Sequence, residues 1–372
     1  MMKGLLDWPF IGYNLNMSVE NQAIFITGRF RSGTSFLWQL FDQLDGYCAW
    51  YEPLHPQLLA AINHIQPKQD HVGIQDYWTT YRQHPGFEKY HDMSFATQNL
   101  YLEANDDEAR LAAYINQLIE LSGDEVPVLQ FNRVDFRLPW LRANFPNAKI
   151  IHIARNPLQL YHSQRKHINS ACRHDVNYWD AYELLPWCYA LSNEFPFLLK
   201  ANSKHAFYPF YALYQLSNRV AEIYADVSIN LDKHVFQSDE FIAKLSQVVK
   251  LNDQQKHHIK TLTHVPDFPL FNDELTDELS VLMTEVDLEL TSSGLMDHFA
   301  QWPLSKIKQQ YQSYWRKHTA GTGCYQQLLL HIHQLNSEMT RILAENDAIK
   351  KQLHCLQDQI EVMKNKAPTN HE

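Results

Sequence analysis

The sequence predicts an α/β fold: a parallel β-sheet flanked by helices, followed by a C-terminal coiled-coil helix. Three observations carry that expectation. First, Ile24-Phe25-Ile26-Thr27 lead into Gly28, and beyond Gly33 the apolar residues Phe36, Leu37, Leu40, Phe41 and Leu44 recur at helical spacing. That is a strand, a tight loop and a helix in succession. Second, Lys149-Ile150-Ile151-His152-Ile153-Ala154 is nearly all apolar, as a strand buried on both faces should be. Third, an apolar repeat with a 3.5-residue period runs unbroken through residues 328–363.

The elements follow in order. Residues 1–20 read as a lead-in segment packed by Trp8, Phe10 and Tyr13. The first βα unit is a strand at 23–28 and a helix at 33–45. The short strand Tyr47-Cys48-Ala49-Trp50-Tyr51 ends at Glu52-Pro53, because proline cannot continue a ladder. Residues 57–125 read as an insertion. Its first part is rich in rings (Tyr77, Trp78, Tyr81, Phe87, Tyr90, Phe95, Tyr101), for which packing is the favoured role and stacking on a sugar the alternative. Its second part is a helix capped by Asn105 or Asp106, with Leu111, Tyr114, Ile115, Leu118 and Ile119 on its apolar face and Ser122-Gly123 at its end. A strand at 127–131, a short helix near 138–145 and the strand at 149–154 come next. Asn156-Pro157 then starts a helix, cap followed by proline. Helices are expected at 174–200, 206–224 and 237–250, with a strand at 226–231; residues 252–300 give a mixed pattern.

The loop after the first strand carries the chemistry. Residues 28–33 fit the Walker A frame, with glycine at both ends, so the sheet is of P-loop type. A loop that opens a helix presents free N–H groups at the positive end of the helix dipole, a ready anion site. The frame then departs: Thr34 stands where the lysine should, and the positive charge sits three residues earlier, at Arg31. The run Arg31-Ser32-Gly33-Thr34-Ser35 resembles the phosphosulfate-binding loop of sulfotransferases that use 3′-phosphoadenylyl sulfate (PAPS). Arg155-Asn156-Pro157, with Ser163 eight residues after the arginine, resembles the same family's 3′-phosphate motif.

The resemblance covers residues 22–170 most clearly and reaches less securely to about 323. It implies a P-loop-type sheet, PAPS as sulfuryl donor, 3′-phosphoadenosine 5′-phosphate (PAP) as product, and no required metal. Arg29, Arg31, Ser32, Gly33, Thr34, Ser35, Arg155 and Ser163 would bind the donor. Many cytosolic members carry a lysine and a histidine base near the next strand end; here those places are Gln130 and Asn132. Tyr51-Glu52-Pro53-Leu54 instead resembles a segment of carbohydrate 6-O-sulfotransferases, where a glutamate sits near the acceptor. Glu52 is therefore the first choice for the general base, with an ion pair to an arginine as its alternative role. His55 and Asp135 follow as bases. The acceptor implied is a hydroxyl of a carbohydrate or glycoconjugate, with an amine second. A basic segment at 314–323, including Arg316 and Lys317, could close over the 3′-phosphate or serve as a hinge.

Composition excludes several classes. A net charge of −10 argues against general nucleic-acid binding. The N-terminal residues carry one lysine and no long apolar run, and no later stretch has membrane-spanning length. The five cysteines are scattered, with no Cys-x-x-Cys, which fits a reduced, cytoplasmic protein of the bacterial soluble type. The 20 histidines form no His-Glu-x-x-His. Two other readings remain: a P-loop kinase or NTPase, which lacks its lysine here, and a non-catalytic nucleotide-binding scaffold.

The final segment predicts the assembly. Ile332, Met339, Asn346, Leu353 and Ile360 fall at a, and Leu328, Leu335, Ile342, Ile349, Leu356 and Met363 at d. Asn346, the one polar residue in the seam, favours a parallel two-stranded coil, and Glu345 at g can meet Lys350 at the following e. The expected domains are thus a lead-in at 1–20, the catalytic domain at 21–323, a coiled-coil homodimerisation helix at 324–366 and a tail at 367–372.

Overall fold

Among the residues described by the computed structural model, five strands form one all-parallel sheet in the order β2-β3-β1-β4-β5. The described residues are 22–64, 76–166, 181–192, 194–199, 205–235, 237–263 and 277–292, with position 353 beyond them. The strands are β1 (Ile24–Thr27), β2 (Tyr47–Tyr51), β3 (Val126–Phe131), β4 (Lys149–Ala154) and β5 (Val227–Asn230). β1 lies at the centre, with Ile26 opposite Gln130 on one side and Ile151 on the other. Its four residues are all buried, which is why they form an unbroken apolar run. Because every strand points the same way, Gly28, Glu52, Asn132, Arg155 and Leu231 all emerge along one edge. That carboxyl edge is where open α/β sheets bind ligands.

The helices in chain order are α1 (Thr34–Asp42), α2 (Leu58–His64), α3 (Thr79–Gln83), α4 (Ala109–Leu121), α5 (Leu138–Asn144), α6 (Pro157–Arg165), α7 (Leu184–Ala190), α8 (Phe207–Tyr224), α9 (Ser238–Leu245), α10 (Asp253–Leu262) and α11 (Asp277–Ser292). α1 buries Leu37, Trp38, Leu40 and Phe41, and its Phe36 ring meets Phe241 of α9 at 6.1 Å. Phe25 of β1 takes Phe131 and Phe145 edge-on, at 5.6 and 5.4 Å. Each such buried side chain contributes about 1.5–3 kcal/mol. The chain crosses β1→α1→β2 in one direction and β3→α5→β4 in the other. Right-handed crossovers then set α1 and α5 on opposite faces.

Several boundaries differ from the sequence expectation. α1 ends at Asp42 rather than 45. α4 begins at Ala109, with neither Asn105 nor Asp106 as its cap: Asp106 accepts from Glu103 N and holds Trp140 Nε1 through its carbonyl. The described part of 174–200 is a short 3-10 turn, α7 and a second 3-10 turn starting at Pro196. Tyr182 and Glu183, both at positive φ (50° and 60°), and Pro196 break what the apolar pattern suggested was one helix. The 252–300 region contains α10, started by a capping box between Asn252 and Gln255, and α11. In the aromatic insertion Tyr77, Trp78, Tyr81, Phe87 and Phe95 are buried, so packing is their role. The lead-in at 1–20, the basic segment at 314–323, the coiled coil at 324–366 and the tail lie outside the described residues. Among the described residues no helix is long and apolar enough to cross a membrane, and no group of three acidic, His or Cys side chains could hold a metal ion.

Candidate active site

The glycine loop is built for close approach. A Cβ on Gly28 would lie 2.5 Å from Ile153 O and 2.6 Å from Ser32 Oγ, so only glycine fits. Gly33 has φ +108°, a conformation other residues rarely adopt, and it packs under Leu231. Arg31 is itself left-handed at φ 73°, which costs about 1–3 kcal/mol and bends the loop back. Ser32 N is taken by Arg29 O at 3.0 Å, so the loop closes on itself there. Gly33, Thr34 and Ser35 follow as the first residues at the start of α1. No side chain caps the start of α1, which leaves that first turn open to a ligand.

Arg31, Arg155 and Ser163 come together across β1, β4 and α6. Arg31 Nε donates to Ser163 Oγ at 3.2 Å, and Arg155 Nη1 reaches Arg31 O at 3.5 Å. The Asn156 side chain accepts from Leu158 N and Gln159 N, which fixes the start of α6 beside them. Arg155 also pairs with Asp232 of the π-helical turn Leu231–Val235 after β5, Nε to Oδ1 at 3.4 Å. Burial lowers the Arg155 pKa and the Asp232 charge opposes that shift.

Arg29 is placed elsewhere than the anion-binding group it was assigned to. Its Nη1 pairs with Asp135 Oδ2 at 2.9 Å, and its guanidinium lies 4.5 Å over the Trp187 ring. Asp135 also accepts from Thr27 Oγ1 at 3.2 Å and is 1% exposed. This buried pair removes Asp135 from the possible bases and ties the root of the loop to the β3–α5 connection.

Glu52 is held by a closed ring of hydrogen bonds. Its backbone, at φ 40°, donates N–H to Gln130 Oε1 at 3.2 Å. Gln130 Nε2 donates to Asn132 Oδ1 at 3.0 Å, and Asn132 Nδ2 donates to Glu52 Oε1 at 2.5 Å. Thr34 Oγ1 joins the ring by donating to Asn132 Oδ1 at 2.8 Å. Gln130 and Asn132, the two places where the lysine and histidine were missing, thus orient the carboxylate. The other carboxylate oxygen lies 3.6 Å from Arg133 Nη1. Arg133 Nη2 also meets Glu183 Oε1 at 3.0 Å, and the guanidinium stacks 4.9 Å over Phe30. Glu52 thus sits at the sheet edge and has an arginine partner, the pairing expected as the alternative to a base role.

Other groups frame this carboxylate. Ser35 Oγ and Tyr51 OH lie 3.1 Å apart, and burial raises the Tyr51 pKa well above its usual value. His55 donates its N–H to Glu52 O at 2.9 Å; burial lowers its ring pKa, with Glu52 opposing. Tyr182 is also raised by burial, and the Arg31 charge works against that. Sequence reading missed Arg133, Glu183, Tyr182 and Asp232 as site groups, and nothing local marked the last three.

Residues 23–207 match the family model described as "Sulfotransferase family". The match begins one residue before β1 and takes in the loop, Glu52, the β3 edge, Arg155 and Ser163. A comparison with curated proteins found no match.

Proposed function

Over residues 23–207 this chain belongs to the sulfotransferase family, which supports sulfuryl transfer, and we propose that the donor is PAPS and the acceptor a hydroxyl, on a carbohydrate or glycoconjugate. Support for the donor assignment comes from two groups of N–H donors that adjoin on one sheet edge. One is the uncapped first turn of α1 behind Gly33; the other is Arg155, which reaches Arg31 O, together with Ser163, which accepts from Arg31 Nε. A nucleotide with a 3′-phosphate and a 5′-phosphosulfate needs both.

Gly33, Thr34 and Ser35 N–H groups would hold the 5′ end, and Arg155 and Ser163 the 3′-phosphate. Arg31, between them, supplies charge as the bond to the leaving phosphate breaks. The Glu52 carboxylate accepts the acceptor's proton while the acceptor oxygen bonds to sulfur, leaving PAP. The Gln130–Asn132 ring fixes Glu52 for that step. Arg29 has a structural part, through Asp135. The mechanism uses no metal, and the chain assembles as a parallel homodimer through residues 328–363. Calorimetry tests the donor. PAP should bind far more tightly than adenosine 5′-monophosphate, and Arg155→Ala should erase most of that preference. Equal affinity in the unaltered protein would overturn the PAPS assignment.

A further inference from the structure

Arg155 already faces an anion belonging to the chain. Asp232 Oδ1 lies 3.4 Å from Arg155 Nε, and Asp232 Oδ2 accepts the Asn156 N–H at 2.5 Å. One carboxylate therefore faces the guanidinium as an ion pair, with the Nε hydrogen bond unmade, and accepts a backbone N–H at the start of α6. A phosphate at a helix start would recruit these same groups. Asp232 is presented by the π-helical turn Leu231–Val235, whose first residue packs against Gly33. The turn is held in shape by Lys233 N donating to Asn230 Oδ1 and Asn230 N donating to His234 Nδ1, each at 2.9 Å. It thus touches the phosphosulfate loop and the arginine together.

We propose that Asp232 is a self-ligand of the 3′-phosphate site: it faces Arg155 and holds the Asn156 N–H when the nucleotide is absent, and it competes with the 3′-phosphate for both. The proposal rests on the reading of Arg155 as the 3′-phosphate site. A 3′-phosphate at Arg155 would meet the carboxylate's charge and need the same Asn156 N–H, so the nucleotide must displace the carboxylate or bind against its charge. When PAP departs, the carboxylate restores the partners it leaves. Asp232 therefore sets donor affinity low enough for product to leave, and it acts on the 3′-phosphate and not on the 5′ end. The side chains of Asp232 and Arg155 are 23% and 20% exposed, so solvent moderates the competition.

The test is calorimetric titration of the full chain with PAP and with adenosine 5′-monophosphate, in the unaltered protein and in Asp232→Asn, Asp232→Ser and Arg155→Ala. Asp232→Asn keeps an oxygen for the Asn156 N–H and removes the charge. It should bind PAP more tightly by up to about fivefold, the size of a part-exposed ion pair, with adenosine 5′-monophosphate unchanged. Asp232→Ser should show the same direction and guards against a folding defect in the first variant. In Arg155→Ala/Asp232→Asn the gain should vanish. Unchanged or weaker PAP binding in both Asp232 variants would overturn the proposal and make Asp232 a support for Arg155. If instead the unaltered protein fails to prefer PAP and Arg155→Ala changes nothing, the donor reading itself falls, and the self-ligand with it.

Discussion

Replacing Asp135 with Ala should destabilise the protein by about 3–5 kcal/mol, the usual cost of leaving one member of a buried ion pair alone. Arg29 and Asp135 are 5% and 1% exposed and 2.9 Å apart. Once the carboxylate is gone, the guanidinium, 5% exposed, has little solvent to replace it. The Trp187 ring, 4.5 Å away, offers Arg29 a cation–π contact of about 0.5–2 kcal/mol, too little to offset the loss. Thr27 Oγ1 would lose its acceptor as well. Urea denaturation measures the change as a lower midpoint at unchanged slope. The double variant Arg29→Met/Asp135→Leu should recover most of the stability, because an apolar pair of similar volume avoids both desolvation costs. A loss under about 1 kcal/mol for Asp135→Ala would refute the reasoning. So would an Arg29→Met protein of normal stability that no longer binds PAP, because Arg29 would then be a ligand after all.

Three further outcomes are expected. Glu52→Gln should lower turnover by at least about 10² with PAP binding intact, and Asn132→Ala, which acts through the same carboxylate, should add little to that loss in the double variant. Unchanged turnover in Glu52→Gln would move the base elsewhere, with His55 next. His152, fully buried on β4 with its pKa pushed down to about 4 by burial, stays neutral in the folded state while the unfolded chain takes up a proton below its ordinary value near 6.5. Stability is therefore complete above about pH 6.5 and falls by roughly 3 kcal/mol as pH drops to about 4; His152→Phe should flatten that slope in denaturation curves taken across the range. Light scattering should report a dimer for the full chain and a dissociated or weakened one for a chain cut after Gly323, and Asn346→Leu should raise thermal stability while loosening the oligomer's choice of partner number; an equally tight dimer after the cut would place the contact elsewhere.

Much of the sheet was legible because its signals are local. The apolar run at 149–154 became β4 with the same bounds. Asn156-Pro157 capped α6 as its residue types require. The glycines of the loop announced a strand-to-helix turn, and Gly28 and Gly33 turn out to be there for space and for φ respectively. What failed was whatever depends on a distant partner. An arginine next to a glycine loop reads as an anion ligand, but the direction of Arg29 is decided by Asp135, 106 residues on. The roles of Gln130 and Asn132 showed in the sequence only as a departure from a motif, since their partner Glu52 is on another strand. Arg133 and Glu183 meet across 50 residues, and Asp232 reaches Asn156 across 76. The capping box Asn252-x-x-Gln255 is a different case: a local signal that was readable and passed over in a stretch without a clear apolar period.

The central claim is that this chain moves a sulfuryl group from PAPS, with Arg31 and Arg155 holding the donor and no metal taking part. The most direct measurement is an incubation of the purified full chain with sulfur-labelled PAPS, excess EDTA and a panel of hydroxyl-bearing carbohydrates, following label in the acceptor and PAP release together. The account predicts labelled acceptor and PAP in equal amounts, unaffected by EDTA and lost in Arg155→Ala. Tight PAP binding with no label moved to any acceptor would contradict it in favour of a nucleotide-binding scaffold, and magnesium-dependent transfer from ATP would contradict it in favour of a kinase.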